Sequence, residues 1–356
     1  MPNIDKILRN LVADIKTQQC VLLIGPEIVQ LGGKSLSRHL YHKLAAENGD
    51  DIAYYYEQHG LFLFNEGGKE EIQREIRLFY ERNEAVAALD KSIYKKIVEM
   101  PFHLVVSINP DSFLSDAAFA QQQQHRFAYF QNEGIAVEEV EQPLKETPLF
   151  YNLCGSIAKD ASLILDYDDL FRLMKAAFAS PSLPLKLAIA LNEAKTFICI
   201  GFDFEKWYTQ LLLQLLSGNK GKRIKKYAID TSIANEHTQT FLFDQFGIKF
   251  LGEEAAFFEH LYQEIKAEGL LRSLPTLASS KQVPLQQLIA ANKVAEALDY
   301  LHVNLTDEDD LHAVILLKSR QSNKEAVKHK GTIDIRDYNI EHNRIIDAIL
   351  ALSKAL

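Results

Sequence analysis

The chain has 356 residues, 47% of them apolar, with 39 Lys and Arg against 48 Asp and Glu, a formal charge of −9. That length predicts two domains and a sizeable core, and the acidic balance excludes a generally basic nucleic-acid coat. No apolar run is long enough to span a membrane, and the amphipathic, mixed-charge N-terminus does not read as a secretory signal.

In chain order, Ile4, Ile7, Leu8, Leu11 and Ile15 recur at helical spacing. The apolar run 20–24 stops at Gly25-Pro26 and predicts a buried strand ending in a tight loop. Residues 37–46 read as a helix, and 51–97 as mixed helical patterns rich in aromatics such as Tyr54, Tyr55, Tyr56 and Phe79. A second buried strand, 103–108, ends at Asn109-Pro110-Asp111, and the glutamine run 121–124 reads as a surface loop or helix end. The strand predicted at 149–153 ends at Cys154-Gly155-Ser156. The short apolar stretch 163–165 then leads through acidic residues into a helix from about 169. The strand 196–200 ends at Gly201 before a helix at 205–216, and short strands at 227–230 and 248–251 complete the set.

Apolar strands alternating with helices are the pattern of a doubly wound, mostly parallel sheet, whose ligands sit at the carboxyl ends of the strands. Gly25, Asn109, Cys154 and Gly201 all fall at such ends. Composition shifts near 270, where Ser273, Pro275, Ser279, Ser280 and Pro284 read as a linker. Beyond it the pattern is helical: 285–302 with Leu285, Leu288, Ile289, Ala295 and Leu298 on one face, then 311–328 and 337–352 with Gly331 as the turn between them. The expected division is 1–268, a linker 269–284 and a helical domain 285–356.

Four strand-end blocks, in order, resemble the sirtuin-like NAD-binding fold, and in particular the sirtuin-like domains of bacterial antiphage-defence proteins. They are Val21–Gly25, Pro101–Asp111, Phe150–Ser156 with 166–173 behind it, and Phe197–Phe204 with Trp207. The fold implied is α/β, a sirtuin-like (Rossmann-like) doubly wound parallel sheet with a small all-α C-terminal domain. The C-terminal helices, through Leu288–Asn292, 295–298, Ile315-Leu316-Leu317, Gly331-Thr332-Ile333, Tyr338-Asn339 and Asn343-Arg344-Ile345, resemble an effector-associated domain, a death-fold-like adaptor of bacterial conflict systems. Such domains pair with a matching domain on another protein, and the resemblance also implies a homo-oligomer; the three cysteines, with no disulfide framework, point to a reducing cytoplasm.

By that resemblance the catalytic positions are Asn109, which orients the ribose and the attacking group, and Cys154, which stands where the family carries its proton-accepting His. The cofactor positions are Gly25, Glu27, Ser107, Asp111, Gly155, Ser156, Gly201, Phe202 and Asp203, and the cofactor implied is NAD. Each has a plainer reading. Asn109 and Asp111 also suit caps after a strand, and Cys154 a small buried residue. Gly201 suits the close approach of backbone or cofactor, and Asp203 a helix cap or a ribose contact. Two departures stand out. A thiol is a poor general base near neutral pH, and Gly25-Pro26-Glu27 replaces the family's small residues, removing an amide donor and placing an acid where pyrophosphate would lie.

The three cysteines form no CxxC pair and the histidines show no ligand spacing, so neither zinc nor another metal is expected. Zinc-dependent protein deacylation is therefore not expected either. The basic run Lys220, Lys222, Arg223, Lys225 and Lys226 reads as a solvated turn rather than a phosphate-binding patch, and 241–246 and 257–258 as core aromatics. Three functions stay open: a defence protein whose degenerate sirtuin-like domain binds a nucleotide or a partner, an NAD+ glycohydrolase acting on assembly, and a ligand-free oligomerising scaffold.

Overall fold

In this computed structural model the described residues are 4–131, 139–178, 183–204, 206–217, 224–229, 235–251, 257–272, 285, 288–289, 294–305, 307–329, 344–346 and 348–353. The chain divides into two compact units, Met1–Ser273 and Leu274–Leu356.

The first unit is built on seven parallel strands in the order β11-β10-β9-β1-β6-β8-β7. They are β1 (Cys20–Ile24), β6 (Leu104–Ser107), β7 (Arg126–Tyr129), β8 (Leu149–Asn152), β9 (Thr196–Ile200), β10 (Lys225–Ile229) and β11 (Ile248–Leu251). Alternate residues feed opposite faces. Cys20, Leu22, Ile24, Val105, Phe150 and Ile198 join one core, and Val21, Leu23, Leu104, Val106, Tyr151 and Cys199 the other. Because both faces are buried, the central strands carry near-continuous apolar runs, with Ser107 and Thr196 only at strand ends, instead of alternating with polar residues, which is why their sequence runs are legible. The first face is covered by α1 (Ile4–Lys16), α2 (Leu36–Glu47), α3 (Gly68–Arg82), α5 (Ser92–Glu99), α6 (Phe113–Ala120) and α11 (Phe257–Ala267). The second is covered by α7 (Tyr167–Phe178), α8 (Leu185–Glu193), α9 (Trp207–Ser217) and α10 (Glu236–Phe246). The short α4 (Glu84–Ala87) follows α3, and β2 (Gln30–Leu31) pairs with β3 (Lys34–Ser35) in a small ribbon before α2.

Two expectations are corrected here and one unexpected strand is added. The stretch read as mixed helix at 51–97 begins with an antiparallel hairpin, β4 (Ile52–Tyr56) and β5 (Leu61–Phe64). Its consecutive tyrosines favour the extended backbone, and Gly60, at φ +67°, supplies the left-handed residue of the turn. The edge strand β7 went unread because it is short and carries Arg126 and Phe127 exposed, so it lacks the buried-strand signature. In α10, Phe241 and Phe243 are 46% and 50% exposed while Leu242 is fully buried. A helix on the sheet surface buries one stripe only, and residues one place either side of it turn outward.

The second unit has its own apolar cluster. Leu285, Ala297, Leu298, Leu301, Val314, Ile345 and Ile349 meet there, and the helices Val294–Asn304 and Glu308–His329 contribute to it. Ala295, expected on the inner face, is exposed, and Ala297 takes that place. The expected features at Gly331, Tyr338-Asn339 and Asn343, like Lys220, Lys222, Arg223, Glu205 and Asp230, lie outside the described residues.

Candidate functional site

The strand order reverses at β1, which sits between β6 and β9. Loops leaving the carboxyl ends of strands on either side of such a point diverge and open a crevice. A cleft of about 470 Å³ lies there, within the ordinary range for small-molecule sites. Pro26 and Glu27 after β1, Asn109 and Pro110 after β6, Cys154 after β8, and Asp203, Lys206 and Trp207 after β9 line it. Across from the strand ends, α2 contributes Arg38 and Tyr41, and the β4–β5 hairpin contributes Tyr55, Glu57 and His59.

Of the eleven positions expected from the motifs, four line the cleft: Glu27, Asn109, Cys154 and Asp203. The others hold the loops behind it. Gly25 N–H donates to Ile200 O at 2.8 Å and Glu27 N–H to Gly201 O at 2.8 Å. A Cβ at Gly25 would collide with the Gly201 carbonyl, and one at Gly201, where φ is +67°, would stand 2.5 Å from Ile28 N. These two glycines are needed because the β1 and β9 loops pack backbone to backbone. Gly155, at φ +87°, leaves no room for a Cβ against Ser162, whose Oγ accepts from Ser156 N–H at 2.9 Å. Phe202 is buried and stacks on Phe204.

The β6 loop is equally occupied. Asn109, 7% exposed, donates from Nδ2 to Gly25 O at 3.1 Å, and its N–H donates to Ser107 Oγ at 3.0 Å. Asp111 Oδ1 accepts from Phe113 N–H at 3.1 Å, at the start of α6, and Asn152 Nδ2 donates to Asp111 O at 2.9 Å. Burial pushes the Asp111 carboxyl up to about 7 despite that amide. Burial likewise pushes the Cys154 thiol up to about 12. It therefore stays protonated at neutral pH and offers neither a base nor a thiolate.

The charged residues of the cleft pair with one another. Arg38 Nη2 donates to Glu57 Oε1 at 2.8 Å, and His42 Nε2 lies 2.9 Å from the same oxygen. The Arg38 hydrogen bond first, and His42 second, hold the Glu57 carboxyl below its ordinary value. Lys206 Nζ stands 3.9 Å from Asp203 Oδ2. Burial draws the Lys206 ammonium down, against the opposing pull of Asp203 and Glu27. Tyr208 O–H donates to His59 O at 3.1 Å and so ties the hairpin turn to α9, while His59 Nδ1 is buried without a hydrogen-bond partner.

Arg38, His59, Lys206 and Tyr208 were not among the expected positions. His59-Gly60 between two apolar runs is a legible turn signal, but nothing local in it says that the turn reaches the strand ends. Among the described residues no group of His, Cys, Asp and Glu is placed to hold a metal ion, and no helix is long and apolar enough to cross a membrane.

NAD is the ligand the fold resemblance implies, and the fit fails at its pyrophosphate. The β1 loop would have to present free amides there. Gly25 and Glu27 have spent theirs, Pro26 has none, and Glu27 puts a carboxylate on the cleft wall.

A family model for the SIR2-like domain matches residues 103–251, from the residue before β6 to the end of β11. A second, for effector-associated domain 11, matches residues 281–356. The order of the two is the one the motifs implied, and β1 with its loop lies outside the matched span. No curated protein matches the chain in sequence.

Proposed function

We propose that this chain, a SIR2-like domain followed by an effector-associated domain, is a bacterial conflict or defence protein whose SIR2-like cleft holds a nucleotide-derived ligand without efficient NAD+ hydrolysis. Its helical C-terminal unit recruits it to a protein with a matching domain. The observation that carries the reading is the closed β1 loop: its amides are bonded to Ile200 and Gly201 and its acid, Glu27, stands on the cleft wall.

Cleavage of the nicotinamide–ribose bond passes through a cationic, oxocarbenium-like sugar. It needs a held pyrophosphate, an oriented ribose and an acceptor for the nucleophile's proton. Gly25 and Glu27 have no free amide for the first, and Pro26 has none. Asn109 uses its Nδ2–H on Gly25 O, and Cys154 remains a thiol.

The test is nicotinamide release from NAD+, followed by proton NMR over hours at high protein concentration. Unchanged NAD+ signals are expected. Turnover that Asn109→Ala abolishes would overturn the reading. The single change Cys154→His is expected to leave the protein inactive, and activity to rise only when Glu27→Gly is added. Full turnover by the single variant would remove Glu27 from the argument.

A second reading, an NAD+ glycohydrolase that acts on assembly, is favoured by one observation. His59 lines the same cleft as Cys154, with Nδ1 buried and unpartnered, and an imidazole there has the chemistry for the proton-accepting role the family gives to the residue at Cys154. Turnover lost in His59→Ala would support it.

A further inference from the structure

We infer that the cleft is built for an unphosphorylated nucleoside, a planar ring carrying free sugar hydroxyls, and discriminates against dinucleotides and other phosphate esters. This rests on the reading of the cleft as a ligand site.

The cleft contains the cations Arg38 and Lys206 and the carboxylates Glu27, Glu57 and Asp203, so acid is in excess. Each cation already faces a carboxylate. Arg38 is 2.8 Å from Glu57 Oε1, Lys206 Nζ stands 3.9 Å from Asp203 Oδ2, and the Glu27 charge acts on both cations. A phosphate entering here would face three carboxylates against two cations that already have carboxylate neighbours, and in a partly desolvated cleft like charges repel strongly. With the Gly25 and Glu27 amides bonded to Ile200 O and Gly201 O, neither is free to hold a phosphate in place of the cations.

The same walls suit a nucleoside. Tyr55, Trp207 and Tyr208 present aromatic surface, and Trp207 remains 36% exposed, leaving ring area open for stacking. Carboxylates are acceptors only, so Glu27 and Asp203 match ribose hydroxyls, which donate. The acid that disfavours a phosphate therefore favours the sugar.

The experiment is isothermal titration of the full-length chain with four probes: adenosine, nicotinamide riboside, ADP-ribose and NAD+. At least one nucleoside should bind about tenfold more tightly (~1.4 kcal/mol) than ADP-ribose or NAD+. Glu27→Gln keeps an acceptor oxygen and removes the charge. It should raise ADP-ribose affinity at least about threefold while lowering nucleoside affinity, because the ribose loses a charge-assisted acceptor, whereas Trp207→Ala, checked for folding by circular dichroism, should weaken the nucleoside about fivefold and leave the ADP-ribose discrimination by Glu27 in place.

ADP-ribose or NAD+ binding as tightly as the nucleosides would overturn this inference and leave the ligand-site reading standing. No binding of any probe would overturn both. Nucleoside binding unmoved by Trp207→Ala would place the ligand elsewhere and overturn the assignment to this cleft.

Discussion

Gly25 and Gly201 sit at the point where motif and packing coincide. Both stand where a cofactor loop is expected, and both are required for a different reason: the β1 and β9 loops touch backbone to backbone. Gly201→Ala adds a clash with Ile28 N to the strain of a φ of +67°, so it is expected to destabilise the fold by about 3 kcal/mol or more. Gly33→Ala is the control. Its φ is +78° but its Cβ would meet nothing within 4 Å, so only the conformational cost of about 1 kcal/mol remains. Urea denaturation of the two variants separates the effects, and equal losses would show that the loop contact contributes nothing.

Asp111 permits a second test at this scale. Its folded value of about 7 lies above the ordinary carboxyl value of ~3.9, so the folded protein binds that proton more tightly than the unfolded chain. Stability from this group is fully present below about pH 4 and is lost as pH rises to about 7. Asp111→Asn keeps an oxygen for Phe113 N–H and carries no charge. It should match the parent near pH 4 and exceed it by about 4 kcal/mol at pH 8 in thermal melts. A constant difference across that range would contradict the burial argument.

At the scale of elements, the hairpin β4–β5 and helix α7 show how pieces distant in sequence are pinned beside the sheet. The hairpin meets α2 through Arg38–Glu57 and α9 through Tyr208–His59, and both links border the cleft. Helix α7 is fixed to α3 through Asp169, which is 1% exposed. Its carboxylate takes Lys69 Nζ at 2.7 Å, Arg172 Nη2 at 2.6 Å and Leu165 N–H at 3.0 Å. Asp169→Ala leaves a buried amide and a cation short of their acceptor and should cost about 3 kcal/mol by urea denaturation. A loss below ~1 kcal/mol would mean that Asp166, 2.6 Å from Lys69, carries the link alone.

For the whole molecule, the division into Met1–Ser273 and Leu274–Leu356 puts a complete apolar cluster in each unit. A unit with its own core can fold alone. The fragment 274–356 is therefore expected to be helical by circular dichroism and to melt cooperatively. Non-cooperative melting would show that its cluster is insufficient by itself. The excess of acid over base, a charge of −9 across the chain, sets the same electrostatic sign as the carboxylate-rich cleft.

By itself the sequence determined the elements whose burial is uniform or strictly periodic. Residues 20–24, 196–200 and 248–251 could be read as strands at their observed bounds because strands covered on both faces, or ended sharply by glycine, carry their environment in their own composition. It also determined the order of the strand-end motifs and the departures at Pro26, Glu27 and Cys154. The hairpin at 52–64 stayed hidden because its half-exposed aromatics have no single period. Only the tertiary structure decided that Arg38, Glu57, His59 and Lys206 share one cleft, and that the amides after β1 are already bonded. Those facts depend on contacts between segments up to about 170 residues apart in the sequence, as Arg38 and Lys206 are. No local pattern encodes such separations, because the free energy that joins the segments appears only when the sheet brings their ends together.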